Sequence, residues 1–222
     1  LSGCSSGKSR RHVSRPKKIL RQVGKEGKDM KKLVVITGIP GTGKTTICRE
    51  LEKLAKENIK VINFGTVMVE LAKKLGKELH RDDIRKHSVD FQSKLQIEAA
   101  KEIAGETEKL NGTLVVDTHM VIRTQEGYWA GLPRKVLEIL KPNIFILIEA
   151  TPEEILERRF KDADRKRDRV LREEIVEELA FSRYFAASCA SITGAPIKIV
   201  KNPHGKQIEA VKEILSILEE NE

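Results

Sequence analysis

The stretch LVVITGIPGTGKTT, residues 33–46, sets five β-branched or apolar residues directly before a glycine-rich turn. A run such as Leu33–Thr37, with no polar alternation, suits a strand buried on both faces of a parallel sheet. The turn that follows, Gly38–Thr45, fits the pattern G-x-x-x-x-G-K-[ST] and leads into a segment with Ile47, Leu51 and Leu54 at helical spacing. Glycines at 38, 41 and 43 let the backbone curl until successive N–H groups face one point, forming an anion nest. The positive end of the following helix adds to that site. Gly38, Ile39, Pro40, Gly41, Thr42, Gly43, Lys44, Thr45 and Thr46 are therefore the candidate phosphate cradle. Lys44 is placed to reach the outer phosphates and Thr45 to offer its hydroxyl to Mg²⁺. The competing reading is a glycine turn without a ligand. A second match to the lysine-serine ending, GCSSGKS at residues 3–9, has Ser2 where the first glycine belongs and no strand before it, so it is rejected.

Working outward, four more short apolar strands are expected at Lys60–Phe64, Leu114–Asp117, Ile144–Glu149 and Ile197–Val200. Helical periodicity is read at Thr45–Glu57, Val67–Lys74, Arg81–Lys86, Val89–Ala104, Arg134–Leu140, Glu173–Ser191 and Gln207–Leu218. Thr151 caps a further helix to about Phe160, with Pro152 at its first position and acids in its first turn. Gly127–Pro133 (GYWAGLP) reads as a glycine-flanked loop around the only tryptophan, serving either function or loop packing. Five strands separated by helices of this length predict an α/β fold, a five-stranded parallel sheet with helices on both faces.

The chain has 222 residues and a formal charge of +9, which taken alone suggests a nucleic-acid binder. The charge is not spread evenly. Residues 1–29 hold Lys8, Arg10, Arg11, Arg15, Lys17, Lys18, Arg21, Lys25 and Lys28 against Glu26 and Asp29, which leaves the remainder near balance. The domain is expected to occupy residues 30–222, with 1–29 a basic, disordered leader upstream of a start at Met30; the sharper alternative is a transit-like or nucleic-acid-binding arm. Cys4, Cys48 and Cys189 show no metal or disulfide spacing, and Cys48 and Cys189 fall on apolar helix faces as core residues. His12, His87 and His204 have no ligand spacing either, so no structural metal site is expected. With no apolar run of membrane-spanning length, a soluble cytoplasmic protein is expected.

Several other residues suit phosphate chemistry. Asp117 closes a buried strand at the edge where parallel sheets bind ligands, as a Mg²⁺ ligand (directly or through water) or alternatively as a helix cap or surface acid. His119 faces a second substrate or makes a structural hydrogen bond. Arg81 and Arg85 lie four apart on one helical face, where two planar guanidinium forks suit a phosphate, or are ordinary surface charge. Arg158, Arg159, Arg165, Arg167, Arg169 and Arg172 crowd fifteen residues, as a mobile cationic cover or as a solvated face.

With these residues in place, the chain resembles the archaeal adenylate kinase family. The resemblance rests on LVVITGIPGTGKTT, NFGTVMVELAKKLG, HRDDIRK, VVDTH, GYWAGLP, LIEATPEEILERR, the DADRKRD run and TGAPIKIV, in that order. It implies a P-loop NTPase-type sheet with a small AMP-binding helical insert, about residues 64–106, and a short arginine-rich lid, about 161–171. It also implies Mg²⁺-dependent phosphoryl transfer from ATP to AMP, a cytoplasmic homotrimer, and no nucleic-acid partner. By the same resemblance Gly65, Thr66, Arg81, Arg85 and His119 bind AMP, while Lys44, Arg85, Arg159, Arg165 and Arg167, with Arg183, act on the transferring phosphates. The cover is much shorter than the lid of bacterial adenylate kinases, and Asp117-Thr118-His119 stands where those enzymes carry Asp-Gly-Phe-Pro-Arg. Three other readings remain: another small P-loop nucleotide kinase, an adenylate-kinase-like ATPase acting in ribosome assembly, and a nucleic-acid binder driven by the leader.

Overall fold

The computed structural model describes residues 31–55, 58–84, 87–124, 127–161 and 171–219, with only the backbone of residues 81 and 82. The expected leader, Arg85, and the charge run with Arg165, Arg167 and Arg169 lie outside the described residues.

The first strand, β1 (Lys32–Thr37), is buried along almost its whole length and pairs in parallel with β3 (Thr113–Asp117) on one side and β6 (Ile144–Glu149) on the other. With β2 (Ile59–Asn63) and β7 (Ile197–Lys201) at the edges, the five-stranded sheet has the order β2-β3-β1-β6-β7. All its pairings are parallel, as expected from the continuous apolar runs. The chain adds β2 and β3 on one side of β1 and β6 and β7 on the other. Loops after β1 and β3 therefore lead away from each other, and a crevice opens at their carboxyl ends, where ligands of such sheets bind.

Alternation along each strand sends successive side chains to opposite faces. Leu33, Val35, Leu114, Val116, Phe145 and Leu147 meet α4 (Val89–Lys109), α5 (Arg134–Leu140) and α7 (Arg172–Thr193) on one face. Val34, Ile36, Val115, Ile146 and Ile148 meet α1 (Lys44–Leu54) and α8 (Gln207–Glu219) on the other. Cys48 and Cys189 are buried within these two clusters, as their spacing indicated. No helix among the described residues is long and apolar enough to cross a membrane.

Three local expectations need correction. Phe64 does not end β2; it begins α2 (Phe64–Lys74), because the Asn63 side chain accepts a hydrogen bond from Thr66 N (3.1 Å) and caps the helix one turn earlier. The helix read as ending at Ala104 continues to Lys109, through Gly105, with Thr107 Oγ1 bonded to Ile103 O and Lys109 paired with Glu106. Gly127–Ala130, read as loop, forms β5, antiparallel to β4 (Val121–Thr124). Two four-residue strands are too short to show a period, and they are held by α7, where Arg123 pairs with Glu174 and Tyr128 stacks on Phe181 at 4.2 Å between ring centroids. Between α2 and α4 lies one further turn of helix, α3 (Arg81–Ile84). The expected cap of α6 (Pro152–Lys161) is present as a reciprocal box, with Glu154 N donating to Thr151 Oγ1 (3.2 Å) and Thr151 N to Glu154 Oε2 (2.9 Å).

Leu114 is fully buried in the central part of the sheet. Leu114→Ala should lower unfolding stability by about 2–5 kcal/mol in urea titration, the usual cost of a large-to-small change in a packed core.

Candidate active site

The turn between β1 and α1 has the backbone that its glycines permit. Gly41 and Gly43 have φ of 93° and 85°, in the left-handed region. A Cβ on Gly38 would lie 2.6 Å from Ile148 O and 2.7 Å from Thr42 Oγ1, so this position is closed to any side chain. Thr42 folds back on Ile39 O through both its N–H (3.3 Å) and its hydroxyl (2.9 Å). The result is a tight loop at the amino end of α1, with Thr45 exposed and Thr46 half-buried in the first turn.

Lys44 is buried, and its ammonium lies 2.5 Å from Asp117 Oδ1 at the end of β3. Asn63 Nδ2 donates to the other carboxylate oxygen (2.6 Å), while Asn63 Oδ1 caps α2. One acid thus joins the cradle to the helix carrying Gly65 and Thr66, whose hydroxyl also reaches Asn63 Oδ1 at 3.3 Å. Arg81 begins α3. His119 is half-buried, with Nδ1 2.9 Å from Gly38 O. Because a carbonyl only accepts, Nδ1 carries the proton in this contact. A groove of about 340 Å³ runs between β2, α2 and α4, touching Asn63 and Thr66 but not the cradle.

The arginines of α6 and α7 turn to protein partners. Arg158 donates to Gly41 O (3.4 Å), Thr42 O (3.3 Å) and Asn202 O (2.9 Å). Arg159, with only 6% of its side chain exposed, donates to Pro40 O (2.8 Å) and pairs with Glu178 (2.5 Å). Arg183 makes two bonds of 2.6 Å to Glu149, whose Oε2 also takes Lys201 at 2.6 Å. Burial would raise the Glu149 carboxyl, but the Arg183 and Lys201 hydrogen bonds outweigh it and hold it below the ordinary glutamate range. Burial, with Asp117 nearby, pushes the Cys48 thiol up to about 12, and burial takes Cys189 to about 11, so neither supplies a nucleophile near neutral pH.

Asn63, Glu149, Glu178 and Asn202 were not singled out in the sequence. For Glu149 a signal existed: IFILIE ends a buried strand in an acid just as LVVD does. Asn202 carried a weaker one, an asparagine directly after a strand and before Pro203.

Among the described residues no cluster of three or more His, Cys, Asp or Glu could hold a metal ion. The donors expected from the sequence are the exposed Thr45 hydroxyl and the Asp117 carboxylate, whose two oxygens accept from Lys44 and Asn63. Few hard oxygen donors beside a phosphate cradle fit Mg²⁺, which takes most of its ligands from phosphates and water.

A parallel sheet, a glycine-rich turn at its crevice and a lysine held on a strand-end acid define a P-loop protein. Residues 37–176 match the AAA domain family. The chain is 45% identical over 190 residues to the adenylate kinase of Methanocaldococcus jannaschii, covering 84% of this chain and 98% of that one. It is 43% identical to the adenylate kinase of Sulfurisphaera tokodaii, over 83% of this chain and 98% of that protein. The structure of Acinetobacter baumannii shikimate kinase with shikimate superposes with a TM-score of 0.54 over 86% of this chain and 94% of that one, at 17% identity, a likeness of fold. The chain belongs to the adenylate kinase family of these archaeal proteins.

Because Glu149 is depressed in the folded state, its pairing stabilises at neutral pH and is lost as pH falls through the folded value, below the ordinary 4.5. Glu149→Gln should therefore lower the thermal midpoint at pH 7, and the gap from the unaltered protein should close on acidification; a constant gap would contradict the assignment.

Proposed function

We propose that the protein catalyses reversible phosphoryl transfer, ATP plus AMP to two ADP, in a Mg²⁺-dependent reaction. The observation that carries this reading is the cradle itself, with Lys44 buried on Asp117 at the crevice, in a chain of which 84% matches 98% of an archaeal adenylate kinase. The backbone of Gly38–Thr46 receives the ATP phosphates, and Lys44 turns from Asp117 toward the outer phosphates as they arrive. Gly65, Thr66, Arg81, Arg85 and His119 form the AMP side, within a segment of about 64–106. Arg159, Arg165 and Arg167, with Arg183 and a lid at about 161–171, offset charge on the transferring group. When bound, Mg²⁺ neutralises charge on the phosphate oxygens, and Thr45 and Asp117 are the residues that would hold it, directly or through water. The AMP phosphate attacks as an anion, so no general base is required. Positioning and charge neutralisation do the work.

A cytoplasmic homotrimer handling small nucleotides, and not nucleic acid, completes the proposal; it rests on the family resemblance.

A coupled assay of ATP against AMP, CMP, UMP and GMP tests the reading. AMP should be the preferred acceptor. A pyrimidine or guanine acceptor would assign another nucleotide kinase, and ATP hydrolysis without ADP from AMP would favour the ATPase reading. Lys44→Ala should lower turnover at least ~10²-fold, the order expected for one preorganised charge stabiliser. Because the change leaves Asp117 buried without its cation, thermal melting should accompany the assay.

A further inference from the structure

Backbone N–H groups can converge on an anion only if the carbonyls of the same loop turn away from it. Those carbonyls are partly shielded from water by the elements behind the loop, so the nest keeps its shape only while donors hold them there. From Gly38 to Gly43 each carbonyl has such a donor. Gly38 O takes His119 Nδ1–H, and Ile39 O takes the backbone and hydroxyl of Thr42. Pro40 O takes Arg159 Nε, and Gly41 O takes Arg158 Nη1. Thr42 O takes Arg158 Nη1 at 3.3 Å and Asn202 Nδ2 at 2.8 Å, and Gly43 O takes Ile47 N at 3.1 Å within α1.

Arg158 and Asn202 stand out in this set because they also hold each other. Arg158 Nη2 donates to Asn202 O at 2.9 Å, and Asn202 N donates to Glu149 O at 2.7 Å, so the pair fastens the loop to the ends of β6 and β7. Asn202 is completely buried, and its Oδ1 has no partner among the described residues, a cost the fold accepts while Nδ2 stays on Thr42 O. A Cβ on Gly43 would run into Asn202 Nδ2, so glycine at this position leaves room for the asparagine as well as for the left-handed turn. Arg158 reaches carbonyls of two chain segments at once, a geometry that the planar guanidinium supplies and a lysine ammonium does not.

We propose that Arg158 and Asn202 are positioning residues for the phosphate cradle, acting on bound ATP through the carbonyls of Gly41 and Thr42 and not as charges on the substrate. The inference rests on the reading of Gly38–Thr46 as the ATP site. It separates Arg158 from the rest of the cationic run, because its guanidinium is spent on shaping the loop.

The test compares Arg158→Lys, Arg158→Met and Asn202→Asp in the full chain, reading kcat, KM for ATP, KM for AMP, and the rise in thermal midpoint on adding ATP. Lysine keeps the charge and loses the fork; aspartate keeps the shape and turns a donor into an acceptor facing Thr42 O. Arg158→Lys and Arg158→Met should be equally impaired, with KM for ATP raised about ten-fold or more, the ATP-induced rise reduced, and KM for AMP within about two-fold of the unaltered protein. A lysine variant with unaltered ATP parameters beside an impaired methionine variant would assign Arg158 a charge role and overturn the proposal. So would unaltered ATP parameters in all three variants, or equal losses toward ATP and AMP. If either Arg158 variant fails to fold, Asn202→Asp decides by the same split. A parent protein that is stabilised by ATP but forms no ADP from AMP would refute the kinase reading and leave the brace to be judged by the ATP-induced shift.

Discussion

The contact on which the rest of the site depends is the buried ion pair of Lys44 and Asp117, with 8% and 5% of the two side chains exposed. A charge at such a depth is tolerated only with a partner and further hydrogen bonds. Asp117 has both, because its second oxygen takes Asn63 Nδ2. The consequence is geometric. The loop after β1, the end of β3 and the start of α2 are fixed relative to one carboxylate, so the two sides of the crevice are built around the same group. The pair also keeps the lysine side chain at the glycine-rich turn, hydrogen-bonded to Asp117.

A second constraint acts from behind. An anion nest is made of peptide dipoles, and dipoles that point inward at one end point outward at the other. Side chains from α6, the β7–α8 connection and the turn after β3 meet those outward carbonyls, which is where Arg158 and Arg159 are turned. Acids on α7 complete the arrangement. Glu178 pairs with Arg159 and lies 4.0 Å from Arg123, and Glu174 pairs with Arg123 as well, so the β4–β5 hairpin and α6 are linked through one helix. The excess of +9 that suggests a nucleic-acid surface is carried mostly by residues 1–29, and among the described residues Lys44, Arg123, Arg159 and Arg183 are each paired with an acid.

What could be read in advance follows from how local each signal is. The strand-glycine-lysine stretch was legible because its period, its turn residues and its following helix are all encoded within about twenty neighbouring positions. Asp117 was legible for the same reason, as an acid ending an apolar strand. Glu149 ends β6 in the same manner yet was read only as the last residue of a strand, since nothing near it in sequence announces Arg183, 34 residues away, or Lys201, 52 residues away. The hairpin Val121–Ala130 was missed because its strands are four residues each and owe their order to α7. Phe64 was misplaced by a single asparagine whose capping role depends on its bond to Asp117, 54 residues on.

The sequence by itself determined the parallel α/β sheet and the glycine-rich turn with its lysine, because hydrophobic period, glycine conformations and a lysine at a fixed offset are short-range properties. Only the tertiary structure decided where the arginines and the second layer of polar residues point. Arg158, Arg159, His119 and Asn202 are separated by up to 83 positions in the chain and meet on the back of one loop. Hydrogen-bond partnership at that range is set by how strands β1, β3, β6 and β7 lie side by side, and no local pattern of residues carries that information.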